Sequence, residues 1–140
     1  MAFQKAQSSS CDDVDEIMIN MMNNPKSLKI VEVSELKHSE RQKQGYKYFY
    51  VTIEDVEANM TFKLSFNVKV NNDDSIYIGQ GAKLYPILSY VSKISDEAII
   101  CFKEDIDEAL NGLEFKGKSI RRKFGNKSYF VLVPISEGDE

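Results

Sequence analysis

Three tyrosines stand at every second position, Tyr46, Tyr48 and Tyr50, and the run after them alternates just as strictly. Read with a period of two, residues 46–54 set Phe49, Val51 and Ile53 against Tyr46, Tyr48, Tyr50 and Thr52. After a five-residue turn, residues 60–70 set Met60, Phe62, Leu64, Phe66, Val68 and Val70 against Thr61, Lys63, Ser65, Asn67 and Lys69. An antiparallel sheet commonly buries one face and wets the other, so each apolar set belongs in a core. The wet face then carries flat rings beside cations and amides. Those are the parts that hold single-stranded nucleic acid: bases stack on the rings and the cations follow the phosphates. Tyrosine is also a good strand residue whose ring covers a neighbouring strand, so a plain sheet surface would show the same pattern.

A second group of candidate residues is cationic. Residues 115–127 hold Lys116, Lys118, Arg121, Arg122, Lys123 and Lys127 with no acid, a local +6, and Phe124 sits among them. Residues 26–52 carry a local +3, including Arg41 and Lys43 in a polar loop. Acid concentrates elsewhere: −3 over residues 1–25, −7 over 53–114 and −3 over 136–140, for a net charge of −4. A polyanion responds to a local footprint, so this segregation bears on binding more than the total does. Solvated faces also carry charge runs.

Catalytic and metal chemistry find little support. His38 is the single histidine and lies in a polar loop, where a surface role is expected. Cys101 lies inside the apolar run 99–102 and reads as a small buried side chain. Glu104, Asp105, Asp107 and Glu108 lack the spacing and glycine of a calcium loop, and acids early in a helix complement its dipole. Gly79-Gln80-Gly81 is not followed by the rest of a phosphate-binding fingerprint. The expectation is therefore a chain without enzymatic activity, cofactor or metal.

Composition is that of an ordinary globule, with 42% apolar and 29% charged residues over 140 positions, enough for one domain with a real core. No apolar stretch approaches the ~20 residues that span a bilayer. The N-terminus has no basic segment leading into an apolar one, so no secretory signal is expected. Cys11 and Cys101 are too far apart in sequence to suggest a framework, which points to a reducing compartment, the cytoplasm.

The elements that must position these residues follow from pattern. Residues 1–10 are expected to be disordered, and residues 11–22 to form a short helix capped by Asp12 or Asp13, with Val14, Ile17, Met18, Met21 and Met22 along one side. Whether that helix packs on the domain or docks a partner is left open. Residues 28–37 predict a first strand in which Leu28 and Ile30 share one parity and Val31 and Val33 the other, the signature of a bulge. The alternating runs are strands two and three. Helices are expected over 82–92, with Pro86 in the first turns, and over 103–111, ended by Gly112. Residues 113–124 and 128–135 predict strands four and five around a tight Gly125-Asn126 turn, the last strand covered on both faces. The domain spans residues 26–135, between the N-terminal segment 1–25 and an acidic tail, 136–140.

Three strands, a helical insert and two more strands resemble the OB-fold, a five-stranded, partly open barrel with a helix between strands three and four. The resemblance is one of architecture and covers residues 28–135. It implies that an oligonucleotide crosses the face of strands two and three and the nearby loops. The interface would then use Tyr46, Tyr48, Tyr50, Lys63, Ser65, Asn67 and Lys69, with Arg41 and Lys43 from one loop and Arg121, Arg122, Lys123, Phe124 and Lys127 from another. The tail resembles a much reduced form of the acidic C-termini of bacterial single-strand binders, without their terminal aromatic. The function expected is sequence-tolerant binding of single-stranded DNA or RNA, DNA foremost, as an accessory to replication or recombination. Protein partners would use the acidic tail or the N-terminal segment, and no membrane is implied. The alternative is a protein–protein adaptor on the same or another small β-barrel.

Overall fold

The alternating runs become two neighbouring antiparallel strands joined by the longest ladder among the described residues. A computed structural model describes residues 9–10, 13–38 and 45–135. The expectations placed on residues 1–8, Cys11, Asp12, Arg41, Lys43 and the acidic tail lie outside the described residues. Ser9 and Ser10, expected to be disordered, instead pair with Met60 and Thr61 as a short strand. In chain order the elements are β1 (Ser9–Ser10), α1 (Val14–Asn23), β2 (Lys26–Val33), β3 (Tyr46–Asp55), β4 (Met60–Val70), β5 (Ile76–Ile78), α2 (Tyr85–Ser92), β6 (Ile99–Cys101), α3 (Lys103–Leu110), β7 (Glu114–Phe124) and β8 (Lys127–Ile135). They form a mainly β protein: an antiparallel path of seven strands, β6-β5-β4-β3-β2-β7-β8, with β1 pairing in parallel with the start of β4.

Burial follows the parity read from the sequence. Phe49, Val51 and Ile53 of β3 and Phe62, Phe66 and Val68 of β4 are buried, with Leu64 packed at their margin. The predicted bulge is present: the register of β2 on β3 shifts between Ile30 and Glu32, leaving Val31 out of the core. Gly125 takes the left-handed conformation that the two-residue turn requires, and Phe124 pairs with Lys127 across it. Strand β8 is covered on both faces only in part. Val131 and Leu132 are buried, whereas Tyr129, Phe130 and Val133 are half-buried.

Helix α1 starts where expected, with the Asp13 side chain accepting from the Glu16 backbone amide at 3.1 Å. Met18 and Met21 enter the core, and the buried Ser119 hydroxyl of β7 donates to the Met18 carbonyl. The helix thus packs on the domain. Met22 lies on the exposed side. Helices α2 and α3 add Ile87, Leu88, Ile106 and Leu110 to the same core.

The five-stranded barrel with one helix between strands three and four is not what forms. Between β4 and β7 lie two short strands as well as two helices, because the end of β4, Lys69–Val70, pairs with β5 and β5 pairs with β6. The sheet also stays open. From Phe62 to Phe66 the outer edge of β4 has no partner strand among the described residues, and β8 ends the path. Helix α1 packs against β4, β7 and β8, where a closing β4–β8 ladder would otherwise form.

Candidate nucleic-acid interface

Directly opposed residues of an antiparallel pair share a face, so register alone assembles the first part of the interface. Tyr46 lies opposite Lys69, Tyr48 opposite Asn67, Tyr50 opposite Ser65 and Thr52 opposite Lys63. The result is a ladder with aromatic rings on one rail and cations and amides on the other. Phe49 is fully buried, while Tyr46 and Tyr50 are each 38% exposed and Tyr48 is half-buried. The rings of Tyr48 and Tyr50 meet edge to face, 5.6 Å between centroids at 86°. Stacking surfaces are thus offered at right angles rather than as one flat shelf.

The backbone under these rings is clamped from both sides. Tyr48 and Lys37 exchange amide–carbonyl bonds of 3.0 and 2.7 Å. The Tyr50 amide donates to the Ser34 hydroxyl at 2.8 Å, and its carbonyl accepts from the Ser34 amide at 2.8 Å. The same ladder continues across the sheet, since Lys69 also pairs with Tyr77 and Tyr77 with Ile100. Tyr46, Lys69, Tyr77 and Ile100 therefore form one row. Tyr77 is 43% and Ile100 66% exposed.

At the free edge of β4 the surface turns into a groove of about 560 Å³ that β8 lines from the other side. Lys63, Lys83 and Arg121 contribute three cations against one acid, Asp15, and Ser65, Ser128 and Tyr129 also line it. Lys83 lies 5.4 Å from the centre of the Tyr129 ring and Arg121 4.8 Å from that of Phe130. The groove brings together Lys63 and Arg121, which the sequence separates by 57 intervening positions. It does not take in the rest of the basic run: Lys123, Phe124 and Lys127 sit exposed at the tip of the β7–β8 hairpin, with Arg122 half-buried behind them.

Sequence reasoning missed Tyr77, Lys83 and Tyr129. Tyr77 had a signal, the single alternation of Ile76-Tyr77-Ile78, too short to separate from a turn. Lys83 had none, because its place beside Tyr129 depends on how α2 returns to β8. His38 is exposed, as expected of a surface residue. Asp105 accepts from the Phe102 amide at 2.8 Å and Asp107 pairs with Lys103, so these acids serve their own helix. Burial and then the charge of Asp105 push the Cys101 thiol up, which holds it protonated at neutral pH. No cluster of metal-ligating side chains occurs among the described residues, and none of their helices is long and apolar enough to cross a membrane. Against known proteins the geometry stands alone: no family model, no curated protein and no solved structure matches the chain.

Proposed function

We propose that the chain binds single-stranded nucleic acid, DNA foremost, on the β3–β4 face without reading its sequence. The observation that carries this reading is the ladder of Tyr46, Tyr48 and Tyr50 opposite Lys69, Asn67 and Ser65 on a surface the core does not use. Each base has a π-face, so stacking on tyrosine tolerates any sequence, while the lysines meet the backbone charge. Support also comes from the pairing order of the five long strands, β4-β3-β2-β7-β8. That order places β3 centrally, with β4 on one side and β2 on the other, so the tyrosine rail lies on a strand held along both edges. Binding of this kind requires no catalytic step, and we assign none.

The test is fluorescence anisotropy with an oligo-dT strand. Tyr48→Ala or Tyr50→Ala is expected to weaken binding by about 1–3 kcal/mol, whereas Tyr→Phe at either position stays near the parent because the ring survives. Thr52→Ala on the same face serves as control, with melting curves to separate affinity from stability. If the parent does not bind, or both alanine variants bind as the parent does, the reading is abandoned. The adaptor reading then gains, because Ile100 and the 47% exposed Phe102 leave apolar surface at the β6 end of the sheet.

A further inference from the structure

The most exposed large apolar side chain among the described residues is at the end of the most basic arm. Phe124 is 80% exposed and sits beside the Gly125-Asn126 turn, with Arg122, Lys123 and Lys127 around it. Nothing in the fold uses the ring. It lies outside the core, and a Gly-Asn turn needs no aromatic at its shoulder. The local sequence is basic as well, since residues 115–135 contain six cations and no acid.

The arm also has reach and a firm base. Strand β2 pairs with β7 only through Gly117, so residues 118–124 pair with β8 alone. Ser119 is buried within that span, so the projecting part runs from Arg121 to Phe124, roughly 13 Å of strand. At the base, the Ser119 hydroxyl is tied to the Met18 carbonyl of α1, and Arg121 lies over Phe130. The distal part, from Lys123 round the turn to Ser128, is exposed throughout.

We infer that this hairpin is a wedge for the boundary between duplex and single-stranded DNA. The Phe124 ring packs on the last base pair, while Arg122, Lys123 and Lys127 contact the phosphates of the two strands where they part. Apolar side chains inserted at base steps are a recurrent way to hold unstacked DNA. The duplex side of such a boundary also carries more phosphate charge per length than the single strand, about one charge per 1.7 Å of helix axis. The groove with Lys63, Lys83 and Arg121 lies at the base of the arm and leads from it toward the tyrosine face. The inference rests on the nucleic-acid reading, and adds to it a preferred structure of the ligand.

The experiment compares an oligo-dT strand with a duplex that carries the same strand as a 3′ or 5′ tail, at one moderate salt concentration. The parent is expected to bind one of the tailed duplexes at least about fivefold more tightly than the strand alone, as one added stacking contact implies. Phe124→Ala should abolish that preference, so that the tailed duplex and oligo-dT bind alike, whereas Tyr48→Ala should weaken both ligands and keep the preference. The chain has no tryptophan, so Phe124→Trp provides a reporter. Its emission should change more with the tailed duplex than with oligo-dT, and the preference should be retained. A parent that binds oligo-dT but shows no preference, or a Phe124→Ala variant that keeps one, overturns the wedge and leaves the single-strand reading standing. Binding of the tailed duplex without oligo-dT supports the wedge and overturns the tyrosine-face reading. Binding of neither overturns both.

Discussion

Phe49 differs from Tyr48 and Tyr50 by one hydroxyl, and that atom is enough to sort them. A buried phenol needs a hydrogen-bond partner, whereas a phenyl ring does not, so Phe49 goes to the core and its neighbours to the wet face. Such parity is a property of single residues, and it was legible in the sequence without knowledge of the fold. The surroundings of Cys101 were not. The apolar run suggested a buried side chain, whereas Cys101 is half-buried between exposed Ile100 and Phe102. The second influence on its thiol, the charge of Asp105, depends on how α3 starts after β6. Both effects disfavour the thiolate, which gives a prediction with a definite sign. In a Cys11→Ser background, alkylation of Cys101 should have a pH midpoint above the ordinary thiol range, and Asp105→Asn should move it back down. The folded state then holds its proton where the unfolded chain has released it, so stability falls as pH rises through that interval. A midpoint at or below the ordinary thiol value would show that burial does not govern the site.

Close approach of β7 to β2 depends on a position without a side chain. A Cβ on Gly117 would lie 2.9 Å from Leu28 Cδ1, 3.0 Å from Phe115 Cε2 and 3.2 Å from Leu132 Cδ1. Leu28 and Leu132 are buried, so neither can move aside without disturbing the core. Gly117→Ala is expected to cost about 1–3 kcal/mol by overpacking. Gly81→Ala should be close to neutral, because nothing lies within 4 Å of its Cβ position. Equal melting temperatures for the two variants would show that β2 and β7 have slack where the geometry has none. The same contrast explains what could be read in advance. Long strands and helices announce themselves by period, and the bulge at Val31 by a break in period. Three-residue strands such as β5 and β6 present too few alternations to be seen, and they form because neighbours already hold the chain extended. Failure of β4 and β8 to close was hidden for another reason. It turns on α1 packing against both, a long-range choice that no local pattern records.

Across the whole molecule, charge is partitioned more sharply than its net −4 suggests. The acidic stretch from residue 53 to 114 carries −7 and contains β4, β5, α2, β6 and α3, whereas the hairpin carries +6. For the polyanion proposed above, this distribution favours approach to the basic arm and the cationic groove at its base over approach to the acidic stretch. Salt dependence measures this directly. On a single strand, each phosphate that a cation neutralises adds about 0.7 to the slope of log affinity against log salt, so reversal of Arg121, Arg122 and Lys123 to glutamate should lower the slope by about 2. Reversing Arg121 alone tests the groove and reversing Lys123 alone the tip, so the single variants apportion the effect. The control is Lys93→Glu, which reverses an exposed lysine at the C-terminus of α2 that is part of neither the ladder nor the hairpin. If that control lowers the slope as much as a single hairpin reversal does, the protein responds to total charge and the footprint is diffuse. If the triple variant keeps the parent slope, the basic run is a solvated hairpin, and the tyrosine ladder alone must account for any binding observed.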